Sequence, residues 1–283
     1  MTITPQDRTF FTTFGYLSLP GLLADEMGWI TAAFMQAMDD ERRCHDLLKR
    51  SSARACLERS EILCRILDLP QIDAVMSVLL GADWNYYSSD GNLYSGDTGW
   101  HSDSDWQHGV CIKVPLYFDE IDAGSGALRV IPGSHRRGPG AWTAAEASNS
   151  QMLLGIPGTA VPCVVPPCRP GDFVAIDTNI MHASFGGGPS RRMLALQFWS
   201  PFASEDQYAE LDRHMNNWTA SGAPIHSELL HRSAPPGRRR HLLQVGARHA
   251  AHPRYGKLAW MDELIPGSAF THQPRSRIEP EKP

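Results

Sequence analysis

No apolar run in these 283 residues approaches the roughly 18 needed to cross a bilayer, and Met1 to Asp7 lacks both the basic and the apolar stretch of a secretory signal. A cytosolic protein is expected. Basic charge is not in excess either: 26 Lys and Arg stand against 31 Asp and Glu, a net charge of −5. That balance gives no electrostatic footprint for nucleic acid or an anionic membrane surface. The single dense basic run, Arg238-Arg239-Arg240, follows the loop-like Ala234-Pro235-Pro236-Gly237 and reads as a solvated loop edge. Cysteine is sparse, with Cys44, Cys56, Cys64, Cys111, Cys163 and Cys168 forming no Cys-x-x-Cys pair and no zinc-ribbon spacing. Reduced thiols are expected, Cys163 and Cys168 included.

What is present is the composition of a globular enzyme-sized chain, 42% hydrophobic and 20% charged, long enough to bury a core as one domain over 1–283. Three regions follow one another. Residues 1–80 read as mainly helical, with Tyr16-Leu17-Ser18-Leu19 alternating as a strand and Met27, Ile30, Phe34 and Met38 at helical spacing. Residues 81–200 change texture to short apolar runs separated by Gly, Pro, Asn and Asp. Strands are expected at Trp84 to Ser88, Val110 to Phe118, Ala127 to Ile131, Val161 to Val165, Phe173 to Ile176 and Met193 to Trp199. Strands spaced by turns, without helices between them, predict an antiparallel sandwich or barrel, so a mainly β fold. From 201 to 283 a helix returns, capped by Ser204 with Gln207 and ending near Gly222, before a loop-rich tail that frays after about Thr271.

The chemistry centres on Trp100-His101-Ser102-Asp103. On an extended strand His101 and Asp103 point to the same face and can close on one ion. Two such ligands suggest the two-His, one-carboxylate triad that holds ferrous iron and leaves coordination positions open. The third ligand must come from elsewhere, and His182, just before a glycine-rich loop, is the candidate. About ten positions further on, Arg191 and Arg192 begin a strand where a bidentate clamp for a dicarboxylate would sit. Their directions alternate, so only one of the two points inward. Trp106, close behind Asp103, is expected to line a substrate pocket, where aromatic walls are common, with ordinary core or rim packing as the alternative.

These residues resemble the phytanoyl-CoA dioxygenase family of iron(II)- and 2-oxoglutarate-dependent oxygenases, which includes ectoine hydroxylase. The resemblance runs from about residue 10 to 200. It is carried by Phe14-Gly15-Tyr16-Leu17-Ser18-Leu19-Pro20-Gly21, by Trp100-His101-Ser102-Asp103, by Gly126-Ala127-Leu128-Arg129-Val130-Ile131-Pro132-Gly133-Ser134-His135, and by His182 followed by the Arg191 strand. It implies a double-stranded β-helix, a cupin-like jelly roll of eight core strands with flanking helices. It further implies that His101, Asp103 and His182 hold Fe(II), that Arg191 binds 2-oxoglutarate, and that Ser184 helps to hold it. A glycine loop one residue shorter than in some relatives leaves Arg192 open as the alternative clamp. His135 in the Pro-Gly-Ser-His turn is not expected to be a ligand.

The resemblance implies O2-dependent oxidation, hydroxylation above all, of an aliphatic C–H in a small molecule, with release of succinate and CO2. Asp103 stands where halogenating relatives carry a small residue, which argues against halogenation. Desaturation, cyclisation and demethylation remain open. Two other readings compete: a cupin-like metal hydrolase or isomerase that does not use 2-oxoglutarate, and a non-catalytic jelly-roll binding module. The first would not need an inward arginine; the second would not need three metal ligands. Neither the substrate nor the oligomeric state is legible.

Overall fold

The computed structural model of the chain describes residues 2–136, 144–189, 191–219, 225–251 and 259–264. Nine strands form two sheets: β1 (Tyr16–Leu19), β2 (Ser51–Arg54), β3 (Asn85–Tyr94), β4 (Thr98–His101), β5 (Cys111–Tyr117), β6 (Arg129–Val130), β7 (Phe173–Asp177), β8 (His182–Ser184) and β9 (Arg191–Trp199). The large sheet has the order β1-β7-β5-β9-β3-β2 and the small one β4-β8-β6, with antiparallel pairing throughout. A lone bridge between Val130 and Val164 adds a vestigial fourth member beside β6. From β3 onward the chain shuttles between the two sheets, and the result is a double-stranded β-helix whose cavity lies between them.

The period of two along β9 decides which residues meet the cavity. Leu194, Leu196 and Phe198 point outward into the main core with Ile112, Val114 and Leu116 of β5, against helical residues such as Ile30, Phe34, Ile72 and Val75. Phe34 stacks on Phe118 with ring centroids 4.1 Å apart. Arg191, Met193, Ala195 and Gln197 line the cavity instead. Helices pack on the outer face of the large sheet and more residues are helical than extended, so the expected mainly β composition holds only for the central region.

Several boundaries differ from expectation for a physical reason. β3 runs on to Tyr94 through Ser-Ser-Asp-Gly-Asn, a polar stretch that hides a strand because its inner side faces the cavity. Residues 40–80 are not continuously helical: β2 supplies an edge partner for β3, with Ala53 opposite Gly91. Gly91 is needed there, since a Cβ would sit 2.4 Å from Met38 Sδ and 2.6 Å from Cys56 Sγ, where helix and sheet approach most closely. The segment Val161 to Val165 is reduced to the single Val164 bridge.

Ser204 caps the Glu205–Thr219 helix as expected: its Oγ accepts from the Gln207 backbone N–H at 3.4 Å, and Gln207 Oε1 accepts from the Ser204 backbone N–H at 3.0 Å. The basic run is a solvated edge only in part: Arg239 and Arg240 are exposed, whereas Arg238 is not. The run lies in the short helix Pro236–Arg240, and Arg238 is buried, its guanidinium Nε 2.8 Å from Asp68 Oδ1. A buried Arg needs such a partner, and Asp68 is invisible to a local reading of the sequence. All six cysteines are free thiols, and among the described residues no helix is long and apolar enough to cross a membrane. The helix end near Gly222 and the tail beyond Thr271 lie outside the described residues.

Candidate metal centre

His101 is the last residue of β4 and His182 the first of β8, and the register of the small sheet sets them opposite one another with ring centroids 4.2 Å apart. Each imidazole donates its Nδ1–H to a backbone carbonyl two residues upstream, His101 to Gly99 at 2.8 Å and His182 to Ile180 at 3.0 Å. A carbonyl can only accept, so Nδ1 carries the proton and both Nε2 lone pairs are free. Both face Asp103: His101 Nε2 lies 3.7 Å from Oδ1 and His182 Nε2 3.4 Å from Oδ2. One ligand atom from each of the three lies within 4.8 Å of the others.

Asp103 is not on the strand. β4 ends at His101, and the loop beyond it is fixed by Asp103 N donating to Thr178 O at 2.9 Å and by Ser104 Oγ donating to Thr178 Oγ1 at 2.6 Å. The two ligands converge because this loop is tied to the segment before β8, not through strand alternation. Lys113 of β5 reaches the same carboxylate, with Nζ 2.7 Å from Oδ2. Burial would raise the Asp103 carboxyl, yet Lys113, followed by the two histidines, holds it well below the usual carboxylate range. Burial pushes His182 down to about 4, so it is neutral at physiological pH. The neighbouring Asp103 carboxylate raises His101. Two imidazoles with free Nε2 and one ionised carboxylate make a donor set that fits a divalent first-row metal, with both rings oriented by their backbone partners.

The triad forms one wall of a cavity of about 250 Å³, and Arg191 closes another part of it. Arg191 is 6% exposed; its Nη2 donates to Ser184 Oγ at 3.2 Å, its Nη1 to Gly126 O, and its guanidinium lies 4.6 Å from the Tyr94 ring centroid. Among the described residues no acid pairs with it, and its Nε is buried without a partner. A buried guanidinium lacking a counter-ion is costly until an anion arrives, and its planar fork suits a carboxylate. Gly126, at φ +95°, makes this placement possible, because a Cβ there would lie 1.9 Å from Arg191 Nη1. Arg192 faces the other way, its Nη2 2.6 Å from Asp119 Oδ1.

The structure therefore brings His101, Asp103, His182, Ser184 and Arg191 to one cavity. Trp106 is not on that wall. It is buried in an apolar cluster, its ring centroid 4.0 Å from that of Trp199 and 5.0 Å from that of His214, and His214 is the residue that meets the cavity. A rim position would have left the indole half in water, whereas Trp199 and Phe202 offer it full burial. Sequence reasoning also passed over Lys113, Asp90, Asn92, Tyr94 and His214. For the first four the available signal was polar or aromatic residues at every second position of a strand; for His214, on the Glu205–Thr219 helix, there was none.

The model of the phytanoyl-CoA dioxygenase family matches residues 11–193. L-proline trans-4-hydroxylase of Streptomyces griseoviridis is 26% identical over 140 residues, 44% of this chain and 52% of that protein, so the chain spans about half the length of this curated relative. Among solved structures, the non-heme alpha-ketoglutarate-dependent carbocyclase SnoK from nogalamycin biosynthesis is similar in fold, with a TM-score of 0.56 and 18% identity over 70% of this chain and 84% of that one. AviO1 from Streptomyces viridochromogenes Tue57 gives 0.55 and 17% over 72% and 98%, and EctD from S. alaskensis gives 0.52 and 22% over 70% and 77%. With the family's model matching well over half of its length, and the family's double-stranded β-helix around the cavity just described, the chain belongs to the phytanoyl-CoA dioxygenase family.

Proposed function

We propose that this protein is a non-haem iron(II)- and 2-oxoglutarate-dependent oxygenase that hydroxylates an aliphatic C–H of a small molecule. The observation that carries the reading is the sharing of one cavity by three converged metal ligands and a buried arginine with no acid partner among the described residues. His101, Asp103 and His182 would hold the iron, and Arg191 with Ser184 would take the far carboxylate of 2-oxoglutarate. When bound, that pair supplies activation of dioxygen coupled to oxidative decarboxylation, with release of succinate and CO2.

The rest is the work of the chain. The Gly99 and Ile180 carbonyls hold both imidazoles in the ligating tautomer, and Lys113 fixes the Asp103 carboxylate in its ionised form. Met193, Ala195, Leu128 and Ile176 give the cavity an apolar lining that limits water around the reacting carbon. Hydroxylation as the outcome is supported by the hydroxylase relative. The fold also houses a carbocyclase and an epimerase, so the outcome depends on how the substrate is presented.

Anaerobic addition of Fe(II) and 2-oxoglutarate should produce the weak visible charge-transfer band of an iron–keto acid chelate. A folded, metal-loaded protein that gives no band refutes the reading and favours the alternative, a cupin-like hydrolase or isomerase.

A further inference from the structure

Two charged groups on the cavity wall, Asp90 and Arg50, are given no role by this reading, and Asp90 is the more enclosed of them. Asp90 sits in the middle of β3, and its side chain shares the inner face with Asn92 and Tyr94. In register it stands opposite Ala195 of β9, which in turn stands opposite Pro115 of β5. That row is low and smooth, between the bulkier Asn92, Met193 and Tyr117 on one side and the polar Ser88, Gln197 and Lys113 on the other. Asp90, Ala195 and Pro115 all line the cavity.

Among the described residues no Lys, Arg or His forms an ion pair with Asp90. Lys113 is committed to Asp103. Arg50 gives its Nε to Asn92 Oδ1 at 2.8 Å, and Lys113 first, then Arg50 and Arg54, act on Asp90 through space without a hydrogen bond to its carboxylate. Burial accordingly raises the Asp90 carboxyl above its ordinary value. A carboxylate held half-buried on a cavity wall without a hydrogen-bonded cation is costly unless the cavity's occupant supplies one. 2-Oxoglutarate cannot, being an anion that Asp90 repels. A hydroxyl would supply a donor but leave the charge uncompensated.

We propose that Asp90 is a substrate-anchoring carboxylate and that the small molecule oxidised here carries a cationic nitrogen, a primary or secondary ammonium. The inference rests on the oxygenase reading and narrows its substrate to a chemical class. Gln197, one register step along β9, and His214, from the helix behind it, complete a polar end to the same space, suited to the remaining hydrogen-bonding groups of such a molecule. His214 carries an apolar surround of Tyr87, Trp106 and Trp199, and burial pushes it down to about 4. It therefore meets an ammonium as a neutral ring.

The test is succinate formation by the iron-loaded protein with paired probes: L-proline, L-leucine and L-lysine, each beside its fully N-acetylated derivative. Stimulation is expected from at least one free amine, and at least about tenfold less from its acetylated partner, the discrimination of a buried charge pair. Asp90→Asn should raise KM for that amine at least about tenfold, and Asp90→Glu should retain the preference for the free amine. Circular dichroism and melting curves establish that both variants fold. Equal stimulation by amine and amide, an unchanged KM in Asp90→Asn, or no stimulation by any amine would each overturn the proposal. So would a fall in melting temperature with no change in the amine-to-amide ratio, the result expected if Asp90 only balances Lys113. Failure of the iron–keto acid band would instead remove the oxygenase reading itself, so the two failures are distinct.

Discussion

Replacing Arg191 by alanine tests the co-substrate site most directly. The guanidinium lies in the barrel interior, held by Gly126 O and Ser184 Oγ and facing no acid, so a bound dicarboxylate would be its sole counter-ion among the described residues. Removing it would strand that carboxylate in a buried site, a loss of about 3 to 5 kcal/mol. At 1.4 kcal/mol per tenfold, the dissociation constant of 2-oxoglutarate should rise by roughly two to three and a half orders of magnitude. Arg192→Ala is the internal control: its fork pairs with Asp119 at the partly exposed outer face, and the change should move the constant by less than about tenfold. Arg191→Lys keeps the charge but not the planar fork and should fall between the two. Anaerobic titrations of 2-oxoglutarate into the Fe(II) protein, read by the visible band, give all three constants. A larger effect from Arg192→Ala would reassign the clamp, and no effect from either would show that the cavity does not bind a dicarboxylate in this way.

Gly126→Ala should weaken 2-oxoglutarate binding by at least about tenfold, because the new Cβ displaces the Arg191 guanidinium by a steric route that leaves the arginine in place; calorimetry that finds native affinity would contradict the cradle. His101→Ala and His182→Ala should each abolish turnover and greatly weaken iron retention, measured as metal content after desalting, while Asp103→Gly should stop hydroxylation without gain of halogenation in product analysis by mass spectrometry. Glu58, buried beneath Tyr86 and Ser89, is pushed up to about 7 by burial, so the folded state holds its proton more tightly than the unfolded one. Its contribution is fully present below the ordinary value of 4.5 and is lost as pH rises to about 7. Glu58→Gln should therefore gain on the wild type by up to about 3 kcal/mol between those limits in denaturant titrations; a pH-independent difference would show that Glu58 is not protonated in the fold. His226 and His231 act in the opposite sense, since burial lowers both and protonation of the unfolded chain removes stability as pH falls below 6.5.

The residues that announce themselves in the sequence are those whose identity is unusual in any context: a Trp-His-x-Asp, a distal histidine, a pair of arginines opening a strand. The two histidines meet through the register of β4 and β8, while Asp103 joins them through a loop tied to Thr178 that no local pattern announces. What stayed hidden depends on pairing between distant segments. β2 has no apolar alternation of its own and exists because β3 needs an edge partner. β3 reads as a loop beyond Ser88 because a strand facing a polar cavity loses its hydrophobic signature on that side. Lys113 looks like an outward lysine until the register of β5 turns it toward Asp103, and His214 enters from a helix whose approach to the cavity has no local signal. The nearness of Trp106 to Asp103 along the chain suggests a pocket wall, whereas the loop turns it into the apolar cluster behind.

The register that sets His101 against His182 also governs when the metal can act during folding. The two imidazoles are 81 residues apart in the chain, and closing a loop of that length costs an unfolded polypeptide about 4 kcal/mol before any contact is made. His101 and Asp103 alone offer only two ligands close in sequence. Iron therefore cannot template the barrel as zinc templates a finger; it meets a site that pairing of β4 with β8 has already built. Chelation should consequently leave a folded apoprotein that takes up metal again on simple addition, and metal supply should set the fraction of active molecules rather than the yield of folded ones.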